Sequence, residues 1–228
     1  MRKISIENGQ VRLNNHPYRM RLVLDQGYHP EGILTFPTDD DFKRDIELTK
    51  RLGFNGARKH QKVEDPRYLY WADKMGLLVW GEMANAYAFS PDYVKRITSE
   101  WQEAIARDYN HPCIVAWVPL NESWGVPDLN GDPKQVAHLN AMYALTRSLD
   151  STRLVISNDG WEHATTDLLT IHDYESSGAV LTQRYSTLES TIAARPANRD
   201  LYARGHAHSG QPILLTEFGG VAYQKSAQ

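Results

Sequence analysis

The chain has 228 residues, which suits one large α/β domain, since an α/β barrel takes about 250 residues. Its 25 Lys and Arg against 28 Asp and Glu give a formal charge of -3, and no basic block is present, so we expect no nucleic-acid partner. A single cysteine, Cys113, excludes an intrachain disulfide, and no apolar run is long enough to cross a membrane. The first residues, MRKISIENGQ, lack the apolar stretch of a secretory signal, so we expect a cytoplasmic protein.

The first fifty residues predict a hairpin, a strand and a helix. In NGQVRLNNHPYRMRL, the pair Asn14-Asn15 is typical of a hairpin turn. The apolar run Leu22 to Leu24 follows and ends in polar residues, which indicates a strand. DDDFKRDIELTKRLG predicts a helix with acidic residues in its first turn and Gly53 at its end. Its expected buried face consists of Phe42, Ile46, Leu48, Thr49 and Leu52.

Strands and helices alternate along the rest of the chain. Further strands are predicted at FNGARKH, LLVWGEM, CIVAWVPLNES, RLVISND, LLTIHDY and PILLTEFGG. Helices are predicted between them at DPRYLYWADKMG, SPDYVKRITSEWQEAIARDYN, DPKQVAHLNAMYALTRSLD and YSTLESTIAARP. Such alternation favours a parallel sheet, either open or closed into a barrel.

The polar ends of these strands favour the barrel. Six of the seven strands end in ionisable residues, as expected when an active site gathers at the C-terminal ends of barrel strands. These ends fall near Asp25, Lys59, Glu82, Glu122, Asn158, Asp173 and Glu217. No glycine-rich phosphate loop follows the first strand, which disfavours a nucleotide-binding fold. We therefore predict one α/β domain over residues 1–228, a (β/α)8 TIM barrel truncated after strand seven, so that strand eight and its helix are missing.

Two of the strands end in a glutamate, Glu122 in VPLNES and Glu217 in LLTEFGG. Hydrolysis of a glycosidic bond needs two carboxyl groups: one protonates the departing oxygen, and the other attacks the anomeric carbon or activates water. The pair fits this chemistry, although a barrel rim carries other acids.

The sequence around both glutamates resembles a known family. NHPCIVAWVPLNESWG, from Asn110 to Gly125, resembles the acid/base signature of glycoside hydrolase family 2, the β-galactosidase and β-glucuronidase family. PILLTEFGG is similar to that family's nucleophile strand, and the hairpin within about residues 1–20 is similar to the one that opens its barrel. The resemblance covers essentially the whole chain.

The resemblance implies an activity and its partners. It implies a retaining exo-β-glycosidase that removes terminal β-linked sugars from a glycoside or oligosaccharide through a covalent glycosyl-enzyme. A β-galactosidase-like enzyme is the first expectation, with β-glucuronidase and β-mannosidase as alternatives. We expect no cofactor. The resemblance also implies further domains of the same polypeptide, including β-sandwich domains before the barrel.

Carried over by position, the resemblance assigns Glu122 as acid/base and Glu217 as nucleophile. Asn121 corresponds to the residue that binds the sugar 2-hydroxyl, and an amide can both donate and accept there. Arg58 and His60, in NGARKHQ, lie where the family has R-x-S-H-Y-P. In this chain the serine is missing, His60 is one residue nearer to Arg58, and a Gln follows in place of Tyr-Pro. Arg58 beside the nucleophile would favour its ionised form, and His60 would bind sugar or only complete the rim.

Several other residues are candidates for substrate contact. The sixth strand ends with His172, Asp173 and Tyr174; the resemblance favours Tyr174 as the tyrosine near the nucleophile, but the inward residue stays open because neighbouring strand residues face opposite sides. Glu82 would contact substrate or support the acid/base. The aromatic rings of Trp124 and Trp161 suit sugar faces, although such rings also fill cores.

We expect no metal site. Metal-dependent β-galactosidases of the family carry a Glu and a His just after Glu82, where this chain reads MANAYAFS. A different class, a metal-dependent barrel hydrolase using His206 and His208, is disfavoured because that pair lies in a polar loop before the last strand. A barrel that only binds carbohydrate is disfavoured by the intact glutamate pair.

Overall fold

The computed structural model describes residues 2–220. Its strands are β1 (Ile4–Glu7), β2 (Gln10–Leu13), β3 (His16–Pro17), β4 (Leu22–Asp25), β5 (Gly56–Lys59), β6 (Leu78–Glu82), β7 (Ile114–Val118), β8 (Leu154–Val155), β9 (Leu169–Asp173) and β10 (Ile213–Phe218). Its helices are α1 (Asp39–Arg51), α2 (Pro66–Met75), α3 (Pro91–Asp108), α4 (Pro133–Leu149), α5 (Gly178–Arg184) and α6 (Leu188–Ala193), with a 3₁₀ turn at Pro196–Asn198. Every predicted element is confirmed, and α5 is an additional one.

The parallel strands form a partial barrel. Five of them pair side by side in the order β4-β5-β6-β7-β8, and β9 pairs with β10 in a second, two-stranded sheet. Hydrogen bonds from loops connect the two sheets, for example from the Asp167 amide to the Val155 carbonyl. The α/β barrel architecture predicted from the alternation is thus confirmed, and residues 2–220 contain the seven parallel strands that were counted.

The barrel wall is open between its first and last strands in the described part of the chain. A cavity of about 520 Å³ lies between β4 and β10 and reaches inward to Arg58 and Trp80. Leu52 borders this cavity. An eighth parallel strand is not found within residues 2–220, and residues 221–228 lie outside the described part.

One prediction about α1 is wrong in part. Its capping box at Thr38 and its acidic first turn are present, and Phe42, Ile46 and Thr49 are buried as expected. Leu48 and Leu52, however, are exposed. Helical periodicity places them on the edge of the apolar face, and that edge lies beside the open side of the barrel, where the described residues provide no neighbouring helix.

The antiparallel hairpin β1-β2-β3 packs against the inner core of the barrel. Ile4 and Val11 share a core cluster with the strand residues Leu78 and Val115. The turn between β2 and β3 uses left-handed residues at Asn14 and Asn15, a conformation that asparagine tolerates well. Because the hairpin covers one end of the barrel, the polar groups can gather at the other end, where the parallel strands finish. None of the helices between residues 2 and 220 is long and apolar enough to cross a bilayer.

Candidate active site

Glu122 follows β7 in a tight turn that hydrogen bonds hold in place. Glu122 and the next residue, Ser123, both have left-handed backbone angles, with φ of 52° and 58°, which is uncommon for residues other than glycine. The Glu122 amide donates to the Asp159 carbonyl at 2.9 Å, and the Ser123 amide donates to Asn158 Oδ1 at 2.9 Å. The loop after β8 therefore fixes the direction of the acid/base candidate.

Glu217 lies in β10 opposite β9, and both of its carboxylate oxygens are held. In the parallel register it pairs with His172, after an irregularity that follows Leu215. Arg58 donates from Nη1 to Oε1 at 2.6 Å, and the Tyr174 hydroxyl donates to Oε2. The carboxylate is buried, so these two donors replace the water that would otherwise solvate its charge.

The two glutamates converge across the mouth of the partial barrel. One carboxylate oxygen of Glu122 and one of Glu217 lie within 4.8 Å of each other. Retaining glycosidases hold their carboxyl groups about 5–5.5 Å apart, whereas inverting ones leave about 6.5–9.5 Å for a water molecule. The observed approach is shorter than the inverting separation and agrees with the close pairing of a retaining site.

Arg58 is the buried centre of a charge cluster. Besides Glu217, it contacts Glu82 at 2.7 Å, Asp159 at 2.8 Å and Asn121 Oδ1 at 2.6 Å. Burial by itself would lower the pKa of Arg58, but the carboxylates of Asp159 and Glu82 together raise it. Arg58 therefore stays positively charged and balances the acids around it.

The pKa values of two acids beside Arg58 shift in opposite directions. Burial raises the pKa of Glu82 to about 7, although Arg58 acts against it. Burial also opposes the charge of Asp159, but Arg58 and His172 hold the pKa of Asp159 well below its usual range. Asp159 is thus ionised at neutral pH, and Glu82 is near its titration midpoint.

His172 and His60 both lie beside the candidate catalytic carboxylates, but the two histidines differ in charge. His172 Nδ1 lies 2.8 Å from Glu122 Oε1. Burial opposes its charge, but Asp159 and Glu122 raise the pKa of His172 to about 9, so it is protonated at neutral pH. His60 Nε2 lies 3.7 Å from Glu217 Oε1, and burial together with Arg58 lowers its pKa. His60 is therefore a neutral group at the same site.

Two candidates for substrate contact have other partners. The Asp173 carboxylate accepts from Arg184 at 2.8 Å and from the Tyr185 hydroxyl at 2.7 Å. It faces away from the glutamate pair, and the inward residues at the end of β9 are His172 and Tyr174. Glu82 is fully buried, and its carboxylate accepts from Arg58. Both carboxylates are bound by protein donors in this structure, and substrate contact by Asp173 or Glu82 stays a prediction.

Two tryptophans lie on different parts of the rim. Trp161 is buried and meets the His172 ring edge-on, with centroids 5.7 Å apart. Trp124 is partly exposed, two residues after Glu122, and packs edge-on against the exposed Tyr87 at 5.3 Å. Tyr87 lies in the loop after β6 and was not among the sequence candidates. An exposed aromatic pair next to the acid/base offers an apolar surface for a leaving group.

Asp159 is the main residue that sequence reasoning missed. Only Asn158 was taken as the end of the fifth strand, yet the next residue in RLVISNDG contacts both Arg58 and His172. Counting both polar residues at the end of the predicted strand RLVISND, rather than Asn158 alone, would have included it. Its carboxylate also accepts from Thr216 at 2.9 Å, so it connects β10 with the loop after β8.

Two groups of potential metal ligands occur within residues 2–220. One consists of Glu122, His172 and Glu217, and the other of Asp73, His111 and Cys113. In the first group His172 contacts both glutamates, and Arg58 contacts His172 and Glu217. In the second, Asp73 accepts from the Cys113 amide, and burial raises the pKa of the Cys113 thiol, which disfavours a thiolate ligand. Neither group within the described range includes His206 or His208, and the expected absence of a metal stays a prediction.

The sequence matches one family over almost its whole length. The TIM barrel domain of glycosyl hydrolases family 2 matches residues 4–226. Among curated proteins, a β-galactosidase of Photobacterium profundum is 32% identical over 74% of this chain and 16% of its own length. A β-galactosidase of Vibrio cholerae is 30% identical over 91% of this chain and 20% of its own length. The chain thus spans a fifth or less of the length of these relatives.

Solved structures share the fold. A β-galacturonidase from Eisenbergiella tayi bound to galacturonate superimposes with a TM-score of 0.77 at 23% identity, over 99% of this chain and 40% of that one. A β-glucuronidase from Bacteroides uniformis, covalently bound to a cyclophellitol-6-carboxylate aziridine, gives a TM-score of 0.67 at 21% identity, over 81% of this chain and 25% of that one. At these identities the similarity concerns the barrel alone.

Proposed function

The chain belongs to glycosyl hydrolases family 2, and from this membership and the geometry of its glutamates we propose that it carries the active site of a retaining exo-β-glycosidase. The observation that carries the proposal is the approach of Glu122 and Glu217 to within 4.8 Å. At this separation a carboxylate can attack the anomeric carbon directly, whereas an inverting site leaves room for water.

The contacts of the two glutamates support a division of labour. Glu217 accepts from both Arg58 and Tyr174, so its charge is stabilised and its direction is fixed, as a nucleophile requires. Glu122 is more accessible, with a 22% exposed side chain, and can exchange a proton with a leaving group and later with water. Glu122 gives its proton to the glycosidic oxygen as that bond breaks, and Glu217 forms the glycosyl ester.

Sugar binding is assigned to the neutral groups beside the nucleophile. Asn121 accepts from Arg58 through Oδ1, which turns its Nδ2 group toward His60 at 3.4 Å. An amide held in this way can donate to the sugar 2-hydroxyl, a hydrogen bond that strengthens as the anomeric carbon becomes cationic. We assign His60 to a neighbouring hydroxyl and Trp161 to the wall of the sugar site.

The substrate we infer is a β-galactoside. Curated relatives that are 30–32% identical are named β-galactosidase, and β-glucuronides and β-mannosides are the alternatives. Because the chain spans a fifth or less of those relatives, we assign contacts to the remaining sugar hydroxyls to other segments of the same polypeptide. A panel of nitrophenyl β-glycosides, hydrolysed by the full-length protein, distinguishes these sugars.

Azide rescue tests both roles in the full-length protein. Glu122→Ala should lose activity on alkyl glycosides, retain it on dinitrophenyl glycosides, which need little protonation, and yield a β-glycosyl azide. Glu217→Gln should be inactive on both, and a 2-deoxy-2-fluoro glycoside should label Glu217 in the unsubstituted enzyme. Glu100→Gln, on the exposed side of α3, is the control and should behave like wild type. An α anomer as the first product by proton NMR would overturn the retaining mechanism.

A further inference from the structure

His172 is the one side chain in residues 2–220 that contacts both candidate catalytic carboxylates through its ring nitrogens. Nδ1 lies 2.8 Å from Glu122 Oε1, and Nε2 lies 3.5 Å from Glu217 Oε1. Nε2 also lies 3.3 Å from Asp159 Oδ2. The imidazole thus joins the ends of three different strands at the point where a glycoside would react.

The structure makes room for this ring. His172 is fully buried, and Gly160 has a left-handed φ of 106° directly beside it. A Cβ at Gly160 would lie 2.6 Å from Nδ1, which is closer than packed atoms approach. Trp161 covers another edge of the ring. The imidazole is therefore held in one orientation by packing as well as by its hydrogen bonds.

The charges around His172 come from every neighbouring strand end. The groups that face it or act on its charge are Asp159, Glu122, Glu217, Arg58, His60 and His163. Burial and Arg58 act to lower the pKa of His172, but the carboxylates outweigh both and raise it to about 9. A protonated imidazole donates from both nitrogens, so neither carboxylate contact depends on a choice of tautomer.

We propose that His172, held by Asp159, is the positioning residue of the acid/base: it fixes Oε1 of Glu122 and so leaves Oε2 to carry the transferred proton. In the first step the Oε2 proton moves to the glycosidic oxygen as that bond breaks. In the second step water attacks the anomeric carbon, the ester bond to Glu217 breaks and releases its carboxylate, and a proton of the water moves to Oε2 of Glu122. Between the steps the His172 cation stabilises the Glu122 carboxylate. This inference rests on the proposed function of the glutamate pair.

Two substitutions of His172 separate its contacts in the full-length protein. Asn places an N–H group near the position of Nδ1 and keeps a neutral donor for Glu122, whereas Gln places its N–H near Nε2 and leaves Glu122 without this donor. His172→Gln should lower kcat/KM for an alkyl glycoside about a hundredfold, the scale of general acid catalysis, with far less effect on a dinitrophenyl glycoside. His172→Asn should recover most of this loss. In both variants the alkaline limb of the kcat/KM profile should move to higher pH, because the positive charge of His172 is gone.

Asp159→Asn tests whether Asp159 holds His172 in its protonated form. Without its carboxylate partner, the pKa of His172 should fall toward 6.5, the ordinary histidine value, so the kcat/KM profile should gain an inflection between about pH 6 and 8. His138→Gln is the matched control: it removes another buried imidazole, which packs against Phe89 and Tyr93 instead of the glutamates, and it should leave the leaving-group dependence and the pH profile unchanged.

The outcomes are distinguishable. Equal losses on both leaving groups in His172→Gln, or no recovery in a folded His172→Asn variant, would overturn the positioning role. An unchanged profile in Asp159→Asn would overturn the role of Asp159. If fluoro-sugar labelling and azide rescue fail as well, the proposed function falls with it; if they succeed, only the role of His172 is rejected.

Discussion

Replacement of Arg58 by methionine should destabilise the barrel by an amount that grows with pH. Arg58 is 2% exposed and makes ion pairs with Glu82, Asp159 and Glu217. Methionine has a similar length but no charge, so three buried carboxylates would lose their shared cation. Breaking a buried ion pair by removing one partner costs about 3–5 kcal/mol, and we expect a loss of this size in the free energy of unfolding at pH 7.

The pH dependence follows from Glu82 and Asp159. The pKa of Glu82 is raised from 4.5 to about 7; because the folded protein binds this proton more tightly, wild-type stability falls between these pH values and is then level with respect to Glu82. Without Arg58 the Glu82 pKa rises further, so the variant keeps losing about 1.4 kcal/mol per pH unit above 7. Asp159 has a lowered pKa, and its contribution is present above the unfolded pKa and lost only in acid.

Urea unfolding of the full-length protein, followed by tryptophan fluorescence at pH 7 and 8.5, measures both the loss in the free energy of unfolding and its dependence on pH. The difference between wild type and Arg58→Met should widen by about 2 kcal/mol over this interval. Arg184→Met removes a partly exposed ion pair with Asp173 and should cost at most about 1 kcal/mol at either pH. A constant difference between pH 7 and 8.5 would refute the reasoning about Glu82, and a difference below about 1 kcal/mol at pH 7 would refute the role of Arg58 as a shared cation.

Three further substitutions test the walls of the site. Tyr174→Phe removes a donor to Glu217 and should lower kcat about tenfold to a hundredfold, the scale of a hydrogen bond to a charged group; an unchanged kcat would show that the contact does not orient the nucleophile. Gly160→Ala should push the His172 ring out of place and cost about 1–3 kcal/mol of stability, measured by thermal unfolding with activity followed in parallel; a stable, fully active variant would contradict the packing. Trp124→Ala should raise KM for a disaccharide several-fold, the scale of an aromatic contact, and leave KM for a methyl glycoside unchanged; equal changes for both substrates would exclude a leaving-group surface.

The sequence by itself determined the architecture and singled out the two glutamates as candidates. The alternation of strand-like and helix-like patterns of apolar residues identified each parallel strand and five of the six helices in the described part of the chain, because local patterning, capping residues and glycine stops agree along the chain. Glu122 and Glu217 could be chosen because each follows a buried strand within a motif that resembles a known family. The opening hairpin could be identified from Asn14-Asn15, since few residues tolerate that turn.

Only the tertiary structure decided how the other side chains converge. Sequence order left His172, Asp173 and Tyr174 as alternatives, because the inward residues of a strand depend on the register with its neighbour; pairing with β10 turned Asp173 toward α5 instead. Asp159 acquired its role only when the loop after β8 met Arg58 and His172. The ionisation states of such groups depend on burial and on charges distant in the sequence, which is why the charge cluster around Arg58 could not be derived from the chain alone.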